Sequence, residues 1–343
     1  GALEIEGSAV TVSGPILAAT DATITATSGD ATLDAVTATT GAIAINAATG
    51  NIDVGATTAG STITISGQDI DLAGKADATT MAMLTATVGD VSSTGALEIE
   101  GSAVTVSGPI LAATDATITA TSGDATLDAV TATAGAIAIN AATGNIDVGA
   151  TTAGSTITIA GQDIDLAGKA DATTTAMLTA TVGDVSSTGA LEIEGSAVTV
   201  SGPALGGTDA TITATSGDAT LDAVTATTGA IAINAATGNI DVGATTAGST
   251  ITISGQDIDL AGKADATTMA MLTATVGNVS STGALEIEGS AVTVSGPALG
   301  ATDATITATS GDATLDAVTA TTGAIAINAA TGNIDVGATT AGS

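Results

Sequence analysis

The side chains able to do chemistry in this chain are almost all acids. Thirty-five Asp and Glu stand against three Lys, and His, Cys, Arg, Phe, Tyr and Trp are all absent. Without imidazole or thiol, the commonest general base and the strongest side-chain nucleophile are both missing. Ser and Thr are abundant, but no base is placed to activate one. Paired carboxylates can cleave glycosidic bonds, yet such sites need a distinct cleft with aromatic or basic contacts to substrate, and near-identical copies of one sequence supply neither. The chain is therefore read as not an enzyme, with no catalytic and no cofactor-binding residue.

What the acids do offer is oxygen at regular spacing. Asp69 and Asp71 lie two residues apart, and alignment of successive strands sets Asp53 beside them. Oxygen ligands in such a group suit Ca2+, so Asp53, Asp69 and Asp71 are the metal candidates. The simpler reading, which is preferred, is a solvated acidic face that opposes aggregation. The glycine-rich Ca2+-binding nonapeptide is absent. Glu4 and Glu6 form a second pair that recurs as Glu98/Glu100 and onward; it is either a lateral contact point or a solubilising pair. Lys75, in Gly74-Lys75-Ala76-Asp77, is expected to neutralise carboxylates at a corner. A Lys–Asp isopeptide bond would need an aromatic-rich interior that this chain lacks. Asn278-Val279-Ser280 fits a glycosylation sequon, but Asp90 and Asp184 occupy the equivalent places in other copies, so it is read as chance.

These groups are carried on a repeat. Copies begin at Gly1, Gly95, Gly189 and Gly283, giving modules 1–94, 95–188, 189–282 and a partial 283–343, and only seven of the 94 positions vary between them. Thr, Val, Ile and Gly are poor helix formers, and apolar residues recur every second position, as in Leu3/Ile5, Val10/Val12, Ile43/Ile45, Ile52/Val54, Ile63/Ile65 and Ile70/Leu72. Gly-containing turns bound each run of about five residues. The first apolar pair recurs at Leu3/Ile5, Ala22/Ile24, Ile43/Ile45, Ile63/Ile65 and Ala82/Leu84, then at Leu97/Ile99, in steps of 19, 21, 20, 19 and 15 residues. A second pair runs through Val10/Val12, Ala31/Leu33, Ile52/Val54, Ile70/Leu72 and Val91/Ser93. The spacing predicts an all-β parallel β-helix (β-solenoid) of about 20 residues per coil, five coils per 94-residue module and about 18 coils in all, with each strand pairing with its counterpart one coil on. At a strand spacing of about 4.8 Å such a stack is on the order of 85 Å long. A weaker third side includes Ile16-Leu17-Ala18, where Leu17 is placed inside and Ile16 outside or at a loose corner, because Ile16 becomes Ala204 and Ala298 while Leu17 is matched by Leu205 and Leu299. In the third coil only Ala56 and Ala59 mark that side, and Ser93 falls on an inward register.

The phrases ALEIEGSAVTVSG, AIAINAATGNIDVGA and STITISGQDIDLAG resemble the coils of filamentous-haemagglutinin-like proteins, the large adhesins exported by two-partner secretion, biofilm-matrix adhesins among them. The resemblance spans the whole chain and lies in coil length and in the apolar-x-apolar-x-x-Gly-(Asn/Asp/Gln) pattern. It implies a right-handed helix, a place on the cell surface, and an outer-membrane secretion or anchoring partner.

Composition narrows the partners. A net charge of −32 repels nucleic acid and anionic membranes, since phosphate binding needs clustered Lys or Arg. No apolar run approaches the roughly 20 residues of a membrane span. Exopolysaccharide, weakly bound Ca2+ or other copies of the same chain remain as partners, although sugar stacking on aromatics is unavailable. The expected role is an extracellular stalk: residues 1–343 form one continuous solenoid segment of a longer protein, and copy number sets how far a binding domain reaches. A matrix, sheath or surface-layer filament bundled by cations is the alternative. An ice-binding solenoid is a minor one, because the Thr-x-Thr ladder of Thr23/Thr25 and Thr62/Thr64 is interrupted by Glu4/Glu6, Ala44/Asn46 and Met83.

Overall fold

A computed structural model describes residues 1–342. Among them the chain forms 51 short β-strands and no helix. Three strands make a turn, so the protein is an all-β parallel solenoid of 17 turns, about 20 residues each. The turns fall into two compact units, Gly1–Thr173 and Thr174–Ser343.

In the first unit each turn passes through three sides. The first side begins with strands Leu3–Gly7, Ala22–Ala26, Ile43–Ala47, Ile63–Gly67 and Met81–Ala86. They stack in parallel with Leu3 beside Ala22, Ala22 beside Ile43, Ile43 beside Ile63 and Ile63 beside Ala82. The second side begins with Val10–Val12, Ala31–Leu33, Ile52–Val54, Ile70–Leu72 and Val91–Ser93, also in parallel register. The third begins with Ile16–Ala18, Val36–Ala38, Thr57–Ala59 and Ala76–Ala78. The alternation of the sequence decides which way each residue faces: Ile24, Ile45, Ile52, Ile63, Leu72 and Leu84 are fully buried while the Thr, Glu and Asp between them point out. Stacked Ile, Val, Leu and Ala fill the interior. The second unit repeats the scheme, as in the run Ala210, Ile231, Ile251 and Ala270 of neighbouring strands.

The sequence reading of both marker series therefore holds as far as Ala82/Leu84 and Val91/Ser93. It fails at the end of the copy. Residues 1–94 contain fourteen strands, which is four and two-thirds turns and not five. Ala82 and Leu84 pair with Val104 and Val106 of the next copy, not with Leu97 and Ile99. Strand Leu97–Gly101 lies on the third side instead, with Ile99 beside Ala76. The last turn of a copy supplies only Met81–Ala86 and Val91–Ser93, and the first strand of the following copy completes it. The apparent 15-residue coil is thus part of a turn. Within the first unit the strands of the second copy sit one side back from their counterparts in the first: Ile110 pairs with Val91 on the second side, whereas its equivalent Ile16 is on the third. The second unit makes the same step, with Ala270 and Leu272 beside Val292 and Val294, and Ala264 beside Ile287.

The third side corrects two further readings. Ile16 is 3% exposed and Leu17 72%, the reverse of the expectation. Ile16 and Ala18 are in register with the buried Val36 and Ala38, which turns the intervening Leu17 outward beside Thr37. Ala204 and Ala298, which replace Ile16, are buried too, so their small size reflects a slimmer core and not an exposed position. In the third turn Thr57, not Ala56, points inward with Ala59. Ser93 does face inward, where its Oγ donates to the Ala96 carbonyl at 3.1 Å and accepts the Gly95 N–H at 3.3 Å.

Turns at the corners pack backbone on backbone. A Cβ at Gly50 would collide with the Gly29 carbonyl group one turn earlier. At Gly89 it would collide with the Asp69 carboxylate. Gly50 needs the hydrogen that only glycine offers, whereas at Gly89 the Asp69 side chain would have to move.

Candidate functional site

The acids fall into three arrangements. The first is structural. Where the chain rounds a corner, a backbone amide loses its carbonyl partner on the adjacent turn, and an Asp from that turn accepts it. Asp30 Oδ1 accepts the Asn51 N–H at 2.9 Å, and Asp21 Oδ1 accepts the Ala42 N–H at 2.9 Å. Asp69 Oδ1 accepts the Asp90 N–H at 3.1 Å. The equivalents recur down the chain, as in Asp124 to Asn145 and Asp303 to Ala324. Asp128 Oδ2 accepts the Gly108 N–H at 2.7 Å in the same manner. Part of the acidic composition thus caps corners.

The second arrangement is a like-charged pair. Asp53 and Asp71 are register partners on strands Ile52–Val54 and Ile70–Leu72, both outward. Asp71 Oδ1 is shielded from water and has no hydrogen-bond partner. Burial first, and then the neighbouring Asp53 charge, push the Asp71 carboxyl above the usual carboxylate range. Asp165 beside Asp147 and Asp259 beside Asp241 are raised for the same two reasons. Of the three metal candidates, the structure brings Asp53 and Asp71 together. Asp69 is committed to the corner amide of Asp90. Among the described residues, no group of three or more acids is placed to hold a metal ion.

The third is a cluster around lysine. Lys75 Nζ lies 2.5 Å from Glu100 Oε2, 3.2 Å from Glu98 Oε1 and 3.5 Å from Asp77 Oδ2. The hydrogen bond to Glu100 is the main cause of a lysine pKa raised above its ordinary value. In the second unit Lys263 Nζ repeats the contact, 2.5 Å from Glu288 and 3.0 Å from Asp265. Lys169 pairs with Asp171 at 3.0 Å. The expectation that Lys75 neutralises nearby carboxylates is met by Asp77. Its strongest partner was not foreseen, because Glu98 and Glu100 belong to the next copy and come alongside only through the one-side step. The 15-residue interval was the signal that could have revealed it.

Outward residues on the first side run Glu4, Thr23, Ala44, Thr64, Met83 and Thr105 in successive strands, so the threonine ladder is broken as the sequence indicated. Among the described residues, no helix is long and apolar enough to cross a membrane. No protein-family model, no curated protein and no solved structure matches the chain.

Proposed function

We propose that the chain is a structural stalk or filament of a large extracellular bacterial adhesin, similar in kind to the two-partner-secreted filamentous-haemagglutinin-like proteins and with their right-handed coil. The observation that carries this reading is the sameness of the turns. Within each unit, successive turns add three parallel strands in register around an interior of Ile, Val, Leu and Ala. Each turn presents to the next the same backbone edge and apolar layer that it received, so length grows without a change in cross-section. Reach then depends on the number of copies, and an outer-membrane partner and a terminal binding domain would lie at either end of the function. The acid-capped corners support the same role, since they satisfy amides that would otherwise invite pairing with foreign strands.

A second reading is a matrix or sheath filament bundled by cations. It is favoured by one observation, the unpartnered Asp71 Oδ1 facing Asp53, where a shared cation would relieve both burial and repulsion. Electron microscopy of the purified chain with and without millimolar Ca2+ separates the two. Separate elongated particles in both conditions support the stalk. Ordered side-by-side bundles that form only with Ca2+ replace it with the matrix filament, and compact globules overturn both.

A further inference from the structure

We infer that the first copy contains a weak joint, where strand Ala76–Ala78 meets the first strand of the next copy, Leu97–Gly101, that the third copy repeats it at Ala264–Ala266, and that the lysine holds each joint shut. Three observations converge there. The interior is thin: the inward residues of two consecutive strands on the third side are Thr57, Ala59, Ala76 and Ala78, while the other two sides of those turns bury Ile43, Ile45, Ile52, Val54, Ile63, Ile65, Ile70 and Leu72. The Thr57 hydroxyl is buried beside Ala76 without a partner. The pairing is short: only Ala76 with Ile99 and Asp77 with Glu100 are in register, one pair fewer than between Thr57–Ala59 and Ala76–Ala78 and as few as between Ile70–Leu72 and Val91–Ser93. The second of those pairs also sets two carboxylates directly opposite each other, an arrangement that destabilises a sheet.

One ammonium group offsets this. Lys75 reaches Asp77 on its own strand and Glu98 and Glu100 on the neighbouring one, so its charge bridges the two strands. The second unit has the same parts. Ala264 and Asp265 are the only residues in register with Ile287 and Glu288, Thr245 is buried unpartnered beside Ala264, and Lys263 spans Asp265 and Glu288. The lysines, the only cations of the chain, recur every 94 residues. The charge lock is screened by salt, since the Debye length falls to about 3 Å at 1 M. Opening therefore starts at these joints and not at the Ile-rich turns between them. On the stalk reading given above, a pulled chain yields there one copy at a time, lengthening by at most about 340 Å per event.

The absence of Cys makes single buried thiols a clean probe. Ala78→Cys places one in the joint, and Ala47→Cys places one at an equally buried position in the same copy. Thiol labelling of the full chain is expected to be faster at Ala78→Cys than at Ala47→Cys. Raising NaCl from 0.05 to 1 M should accelerate the former about fivefold and leave the latter unchanged. Adding Lys75→Met should give the fast rate at low salt and remove the acceleration by salt, which now screens only the repulsion among Asp77, Glu98 and Glu100 and so slows labelling. Equal labelling at the two positions, or a rate at Ala78→Cys that ignores both salt and Lys75→Met, overturns the joint. A second measurement needs no variant. Trypsin can cut only after Lys75, Lys169 and Lys263, and cleavage at Lys75, scored by the 1–75 fragment and normalised to an unfolded peptide of the same sequence, should rise about fivefold in 1 M NaCl; an unchanged normalised rate counts against the lock. Single-molecule pulling separates the mechanical claim: a joint shown by labelling, together with force curves lacking copy-sized steps, leaves the joint standing and removes the stalk consequence.

Discussion

Replacing Thr57 with Val should make the protein more stable. Thr57 is 0% exposed and its Oγ1 meets no hydrogen-bond partner. It stands in register between Val36 and Ala76, both apolar and buried. Keeping a hydroxyl there without a partner costs about 1–3 kcal/mol. Val has the same branched shape and strand preference, and its methyl adds apolar burial of at most about 0.8 kcal/mol. Allowing for a slight mismatch in fit, the expected gain is about 1–2 kcal/mol per site. Thr151 and Thr245 are the same position in other copies, each buried and unpartnered. They lie far apart along the chain, so the triple variant should gain about 3–6 kcal/mol. With no Trp or Tyr, intrinsic fluorescence is silent, and unfolding in guanidinium is followed by far-ultraviolet circular dichroism. Solenoids lose turns progressively, so slowed thiol labelling of Ala78→Cys, one turn from Thr57, supplies the local readout. If Thr57→Val lowers the midpoint, or if Thr57→Ser matches Thr57→Val, the hydroxyl is not the burden argued here.

Three other outcomes are expected. Ile45→Ala should cost about 2–5 kcal/mol in the same unfolding assay because Ile45 is fully buried, while Leu17→Thr should change stability by less than about 0.5 kcal/mol; a costly Leu17→Thr would put that residue back in the core. Asp71 carries a raised pKa, so between its unfolded value of 3.8 and its higher folded value the native state binds more protons, and stability at this site rises as pH falls from neutral towards about 4. Asp71→Asn should therefore stabilise the chain at pH 7 and flatten that part of the pH–stability curve; an unchanged slope argues against the burial and Asp53 repulsion. Gly50→Ala should cost about 1–3 kcal/mol, because the new methyl meets the Gly29 backbone, which cannot rotate away as a side chain would.

Strand positions and most neighbours were legible because alternation and Gly-bounded turns have one solution over several turns: Leu3, Ala22, Ile43, Ile63 and Ala82 can stack only one way without a break. The end of the copy was not legible for a physical reason. Leu97/Ile99 suits an inward register on any side, and alternation says which face of a strand is buried without saying which side of the turn the strand belongs to. Ile16-Leu17-Ala18 misled because three apolar residues in a row carry no alternation, and only the register with Val36 and Ala38 resolves them. In the acidic groups, Asp53 beside Asp71 could be read from strand alignment. The divergence of Asp69 could not, since it depends on a corner amide 21 residues away in Asp90. Lys75 disclosed Asp77 by proximity in sequence and hid Glu98 and Glu100 behind the misplaced junction.

The one strand by which each copy falls short of five turns changes what repetition means for a neighbour. Had a copy closed after fifteen strands, each side would display the same sequence of outward groups in every copy, and identical columns on separate molecules are the condition for dry, interdigitated sheet stacking. With fourteen, Glu4 and its counterpart Glu98 occupy different sides of the Gly1–Thr173 unit, as do Leu17 and its counterpart Leu111. The first side passes from the five-residue strands of one copy to the set led by Ala103–Ser107, Ala125–Leu127 and Ile146–Val148 in the next, exchanging Glu, Thr and Met for Thr and Asp. Within the Gly1–Thr173 unit, a sequence that is nearly periodic at 94 residues thereby does not repeat at that distance along one side, and a partner that slides by one copy without turning meets a different column.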